Sequence, residues 1–210
     1  MTDKKYIWNF FKSRIGNEKG VAGLMGNLEA ESGLRCNNLQ NSYETSLGFT
    51  DESYTTAVDN GSYTESQFVN DSAGYGLAQW TFSSRKQGLY NLFKSGTYSS
   101  IGCVELACDW LWYELQNSYS GVLTVLKSAS SIREASDKVL HDFESPADQS
   151  TSVEDFRESL GQAIYNELTG TGGASGDSDD ATNYVKVRKG FNFILFNAKR
   201  RNNTWKNRNL

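Results

Sequence analysis

The chain has 210 residues, 38% hydrophobic and 13% aromatic, and a formal net charge of −4, which allows one domain of ordinary size plus an appendage. An acidic balance argues against nucleic acid as the partner of the whole chain, and no apolar run approaches the ~20 residues of a membrane span. One histidine (His141) and three cysteines without CxxC spacing form no metal-ligand pattern, so neither metal nor cofactor is expected.

Residues 3 to 15 read as an amphipathic helix, with Tyr6, Ile7, Phe10, Phe11 and Ile15 at helical spacing and Asp3 placed to cap it. A second helix is expected over 18 to 32, with Val21, Leu24, Met25 and Leu28 on one face and Gly33 as its stop. Gly23 and Gly26 weaken that helix intrinsically, which points to close packing against a neighbour. From Arg35 to Val69 the composition shifts to Asn, Ser, Thr, Tyr and Gly, with helical character only around Glu52 to Val58. This is expected to be a small irregular or β-containing lobe, the kind of region that carries a binding groove. Gly74 to Thr81 reads as a turn and short strand leading into a helix from Ser83 to Lys94. Further helices are expected over Ile101 to Leu115, Gly121 to Lys127, Ser131 to Phe143 and Val153 to Leu168, the last starting near Ser150 with acids in its first turn. The lone proline, Pro146, interrupts none of them.

Thr169 to Asp180 is rich in Gly, Ser and Asp, with no apolar residue larger than Ala, and reads as a flexible linker. Beyond it, YVKVR and FNFILF flank Lys189-Gly190 and predict a hairpin. Residues 184–210 carry eight Lys/Arg and no acid, leaving thirteen cations against twenty-five acids in the remainder, a net of −12. An acidic body (1–168), a linker (169–183) and a basic aromatic tail (184–210) imply parts with different partners. The tail cations, with Phe191, Phe193, Ile194, Leu195, Phe196 and Trp205, suit anionic polymers or a membrane surface. The alternative is a hairpin packed on its neighbours. The first sixteen residues hold no apolar stretch long enough for a signal peptide. Synthesis in a cytoplasm and export by a route other than a cleaved leader are therefore expected. Cys36, Cys103 and Cys108 are expected as small buried hydrophobes or free thiols.

The chemistry-bearing segment is GNLEAESGL, Gly26 to Leu34, which sets Glu29 and Glu31 near the end of an apolar-faced helix that opens into the polar lobe. A carboxylic acid held protonated near neutral pH is what glycoside cleavage needs for its leaving oxygen. Partial burial and a helix C-terminus both act in that direction. Helical geometry alone does not choose between the two; Glu31 lies nearer the helix end.

Three stretches carry a resemblance: YIWNFFKSRIGNEKGVAGLMGNLEAESGLRCNNLQNSYE (6–44), DSAGYGLAQWTFSSRKQGLYN (71–91) and FESPADQS (143–150). Together they resemble the phage tail lysozyme family, part of the lysozyme-like superfamily with goose-type lysozymes and lytic transglycosylases. The resemblance implies a mainly α (α+β) lysozyme-like fold over residues 1–168 and cleavage of peptidoglycan. It implies Glu31, in Glu31-Ser32, as the catalytic acid. Gly76-Leu77-Ala78-Gln79 would form a wall of the groove beside it, with Ser32, Tyr75, Gln79 and Trp80 toward the substrate: an amide from Gln79, and from Tyr75 and Trp80 either ring faces for sugars or core packing. The groove is expected between helix 18–32 and segment 71–81. A hydrolase also needs a base to activate water, and Asp59 and Asp71 are the candidates for a second carboxylate; relatives that use one Glu leave hydrolysis and lytic transglycosylation both open. A Cys36–His141 pair cutting the peptide stem and a non-catalytic wall-binding module are the competing readings. Bacterial peptidoglycan is the expected partner, with phage-tail or secretion-apparatus proteins as further ones.

Overall fold

The structure, a computed structural model, describes residues 2–171 and two strands, Tyr184–Lys189 and Asn192–Asn197. The chain divides into two units, residues 1–171 and 172–210. In the first, helices follow one another as α1 (Asp3–Ile15), α2 (Glu18–Ser32), α3 (Asn41–Leu47), α4 (Asp51–Asp59), α5 (Glu65–Asn70), α6 (Ser83–Phe93), α7 (Val104–Asn117), α8 (Ser120–Ser128), α9 (Ile132–Val139) and α10 (Thr151–Thr169). The fold is mainly α, as expected. A π-helical turn, Leu140–Glu144, extends α9 and ends at Ser145 in the left-handed region, φ 43°.

The first two helices begin and end where the sequence indicates. The α1 stop is Gly16 at φ 74°, and the α2 stop is Gly33 at φ 64°, whose N–H donates to the Glu29 carbonyl. Asp3 lies in the first turn of α1 rather than at its cap, which is Thr2. The side chain of Asn17 caps α2 by accepting from the Lys19 N–H at 3.1 Å. Such a bond satisfies one of the amide donors that a helix start leaves open.

Helix α2 is central. It packs on α1, α8, α9 and α10, and Val21, Leu24, Met25 and Leu28 have no exposed surface. Its glycines allow that closeness. A Cβ on Gly23 would lie 2.6 Å from the Ala135 Cβ, and one on Gly26 would lie 2.4 Å from the Arg157 carbonyl oxygen and 2.6 Å from the Gly161 amide. Gly26→Ala would gain ~1 kcal/mol of helix propensity. The clash is with backbone on α10 and cannot be relieved by a rotamer, so a net loss of about 1–3 kcal/mol is expected from overpacking. Urea denaturation of the variant measures it.

The polar lobe is more helical than its composition suggests. Both α4 and α5 start with capping boxes, Thr50 with Ser53 and Thr64 with Gln67, and these reciprocal side-chain bonds stabilise short helices that periodicity does not reveal. The expected strand at Gly74 to Thr81 is a tight loop. Tyr75 and Trp80 exchange both backbone hydrogen bonds, at 3.1 and 2.9 Å, and Tyr75 also bridges to Leu39. Among the described residues these bridges and the tail strands are the β structure. In the second unit β1 (Tyr184–Lys189) and β2 (Asn192–Asn197) pair antiparallel, Tyr184 opposite Asn197 and Lys189 opposite Asn192, as the predicted hairpin requires. Residues 172–183, which include most of the expected linker, and 198–210 lie outside the described residues. No helix among the described residues is long and apolar enough to cross a membrane.

Candidate active site

Glu31 is the penultimate residue of α2, with its side chain 22% exposed. Most of the side chain is packed, and part of it meets solvent. Arg157 of α10, itself 8% exposed, donates from Nη2 to Glu31 Oε1, while its Nη1 donates to Asn27 Oδ1 at 3.0 Å. Asn27, one turn earlier on α2 and fully buried, donates to the Gly23 carbonyl at 2.9 Å and to the Ser136 carbonyl and hydroxyl at 3.1 Å each. The guanidinium is thus fixed from two sides before any ligand binds. The sequence indicated burial and a helix end as the means of holding a proton on Glu31. The structure adds an ion pair with an arginine, which no local pattern in the sequence announced.

Ser32 joins the two motifs. Its hydroxyl donates to the Leu77 carbonyl at 2.8 Å and leans on the Leu28 carbonyl at 3.1 Å. At 6% exposure it ties the end of α2 to the Gly76–Gln79 loop. Gln79 sits at φ 45°, an uncommon conformation for a residue with a Cβ. Its Nε2 donates to the carbonyls of Asn38 at 3.0 Å and Gly76 at 3.2 Å, so that amide nitrogen holds the loop in shape.

Tyr75 and Trp80 have no exposed surface. The Tyr75 hydroxyl shares a 2.7 Å hydrogen bond with Thr55 Oγ1, and the Trp80 indole donates to Glu114 Oε2 at 2.8 Å. Neither ring has a face free for a sugar. Both are packed in the core.

The two expected second carboxylates are also committed. Asp59 accepts from the Ile101 N–H and the Ser100 hydroxyl, both at 2.7 Å. Asp71, 3% exposed, pairs with Lys86 at 2.5 Å, accepts the Ala73 N–H at 2.9 Å, and takes both the Tyr54 and Tyr63 hydroxyls. Burial, then the charge of Asp71, pushes the Tyr63 phenol up to about 12. A carboxylate with four donors has no lone pair left for an incoming water.

Sequence reasoning missed a charged network around Trp80. Glu114 of α7, 3% exposed, accepts Arg85 Nε at 2.6 Å and Nη2 at 2.8 Å, a bidentate pair. The Arg85 guanidinium lies 4.7 Å above the Phe143 ring. Next to Phe143, Glu144 is within electrostatic reach of Glu31, Arg157, Arg85 and Glu114. The three stretches that carry the resemblance therefore converge: Glu31 from the first, Trp80 and Arg85 from the second, Phe143 and Glu144 from the third.

A comparison with family models matches residues 2–168 to the phage tail lysozyme model. The chain belongs to the phage tail lysozyme family. Membership points to a lysozyme-like, peptidoglycan-lytic function. No curated protein matches the chain. The competing Cys36–His141 pair has no support in this member of the family. Burial pushes the Cys36 thiol far up, away from the thiolate a nucleophile needs, and His141 is engaged by Gln149 and Glu154 at 2.9 Å each. All three cysteines are free. A shallow depression running from Thr50 to Ser62 contains none of the expected site residues.

Proposed function

We propose that the chain is a muramidase that cleaves the β-1,4 bond between N-acetylmuramic acid and N-acetylglucosamine of bacterial peptidoglycan, with Glu31 as general acid. The observation that carries this reading is Glu31 at the end of α2, tied through the Ser32–Leu77 bond to the Gly76–Gln79 loop, in a chain matched to the family over 2–168. Glu31 donates a proton to the bridging oxygen as the glycosidic bond breaks, and the sugar ring takes up the developing positive charge. No metal or cofactor is needed for that step.

The fate of the ring separates two enzymes. A hydrolase with its own base needs a second carboxylate roughly 6.5–9.5 Å from the acid. Asp59 and Asp71 are both held by neighbouring donors, which favours a route in which the substrate supplies the attacking oxygen. Lytic transglycosylation on the same bond is therefore the second reading. Mass spectrometry of digested walls distinguishes them: reducing muramic ends mark hydrolysis, anhydro ends mark transglycosylation. Intact glycan with cut peptides overturns both.

The biological setting we infer is a phage or prophage lysin, or a tail-associated enzyme that opens the wall locally, acting at the wall after synthesis in a cytoplasm. A non-catalytic wall-binding module is the remaining alternative, and partner proteins of a tail or secretion apparatus fit either role. The eight cations after residue 183 suit anionic wall polymers, an attraction that salt screens. Deleting residues 181–210 is expected to lower co-sedimentation with purified walls at low ionic strength severalfold, with little change at ~1 M salt. Unchanged pelleting at low salt excludes the tail as an anchor.

A further inference from the structure

The charged network around Glu31 contains three carboxyls, Glu31, Glu114 and Glu144, and two guanidiniums, Arg85 and Arg157. Arg85 and Glu114 form a closed bidentate pair, and Arg157 is paired with Glu31. Glu144 is left over. Its Oε1 is out of solvent reach and has no hydrogen-bond partner, although the residue as a whole is only half-buried. An ionised carboxylate oxygen in that position is costly, and with one proton the cluster is neutral.

The backbone that carries Glu144 is equally unusual. It is the last residue of the π-helical turn, and Ser145 after it is left-handed at φ 43°. Single π-turns and left-handed non-glycine residues cost free energy and concentrate at functional sites. The turn is anchored on one side, with Phe143 edge-on to Tyr119 at 4.7 Å and beneath Arg85. That anchoring keeps Glu144 within electrostatic reach of Glu31 of α2, Arg157 of α10, Arg85 of α6 and Glu114 of α7.

We propose that Glu144 is a positioning residue of the catalytic centre, the carboxyl that stores the proton Glu31 delivers. This rests on the reading of Glu31 as the acid. In the empty site the proton is on Glu144 and Arg157 holds the Glu31 carboxylate. When the glycan covers Glu31, the proton leaves the Glu144 carboxyl and arrives on Glu31, and the new Glu144 carboxylate lies within electrostatic reach of Arg157 and Arg85. Glu31 then gives the proton to the bridging oxygen as the C–O bond breaks. The hydroxyl that adds to the ring, from water or from the sugar itself, releases a proton that restores the pair. Burial, then the charge of Glu31, holds the Glu144 carboxyl well above the usual carboxylate range, against the pull of Arg157 and Arg85, consistent with a proton kept near neutral pH.

Glu144→Gln keeps shape and neutrality and removes only the exchangeable proton. The alkaline limb of the pH–activity profile on purified walls is expected to move at least about one unit toward acid, with activity at pH 7 down about 10-fold or more. A merely structural neutral side chain leaves the profile where it was, and an unshifted profile beside an inactive Glu31→Gln overturns this inference alone. Lysis by Glu31→Gln overturns the acid assignment and this inference with it. Should Glu144→Gln not fold, carboxyl carbon NMR of the intact wild-type chain decides. One glutamic acid still protonated at pH 7, titrating in two steps shared with a second, supports the pair. All glutamates titrating singly below pH ~5 overturn it.

Discussion

Glu31→Gln is expected to abolish clearing of bacterial walls while leaving the fold intact. The amide cannot give up a proton to the leaving oxygen, and loss of a general acid typically costs ~10²–10⁴-fold, about 3–5 kcal/mol of transition-state stabilisation. The glutamine carbonyl still accepts the Arg157 Nη2 donor, and the side chain is partly exposed, so the melting temperature should change little. Turbidity loss with equal amounts of folded wild type and variant provides the comparison. If a binding module were all that the family fold supplied here, the two proteins would behave alike.

The largest expected stability effect lies elsewhere, at the Lys86–Asp71 pair. Lys86 has no exposed side-chain surface; its ammonium contacts Asp71 at 2.5 Å and the Ala73 carbonyl at 3.1 Å, and lies 4.4 Å from the Phe68 ring centre. Burial draws that ammonium below its ordinary value, with Asp71 opposing. Lys86→Met removes the cation and leaves a buried carboxylate facing two phenols, a change that costs about 3–5 kcal/mol. For a chain of this length the fall in melting temperature is on the order of 10 °C. Lys86→Met combined with Asp71→Asn should recover a good part of the loss, because the uncompensated charge goes with it. Calorimetry of the single and double variants tests both statements. The pair holds Ala73, just ahead of the Tyr75–Trp80 loop, so wall clearing should weaken in the single variant in step with its stability.

Glu144 adds a pH signature to stability. Its folded value is raised above that of the unfolded chain. The stability it contributes is fully present below the ordinary carboxylate range and is lost as pH rises through the raised value. Glu144→Gln removes that dependence, so the variant should gain on wild type toward alkaline pH.

The spans of α1 and α2 were readable because apolar residues recur every third or fourth position, and Gly33 marked the stop of α2. The tail hairpin was readable from its alternation around Lys189-Gly190. Glu31 stood out only through its neighbours in the family pattern, since a glutamate near a helix end is ordinary. The rest of the site depends on contacts distant in sequence. Arg157 shares the buried face of α10 with Gly161 and Ile164; a charged residue at a core-facing position was a signal, but it pointed to no partner, and Asn27 and Glu31 are over 120 residues away. Glu114 was similar, lodged between Leu111 and Leu115 on the buried side of α7. The resemblance suggested ring faces for sugars at Tyr75 and Trp80, yet their polar atoms found buried partners in Thr55 and Glu114. Asp59 and Asp71 looked available because nothing local occupied them; Ile101, Ser100 and Lys86 do so from across the fold.

The most direct measurement is the release of new glycan ends from purified, peptide-trimmed peptidoglycan by wild type and Glu31→Gln at matched concentration. New ends at muramic acid, reducing or anhydro, should form with wild type and be lost with the variant. Equal release by both, or cut peptides with no new glycan ends, would contradict a catalytic role for the Glu31 carboxyl.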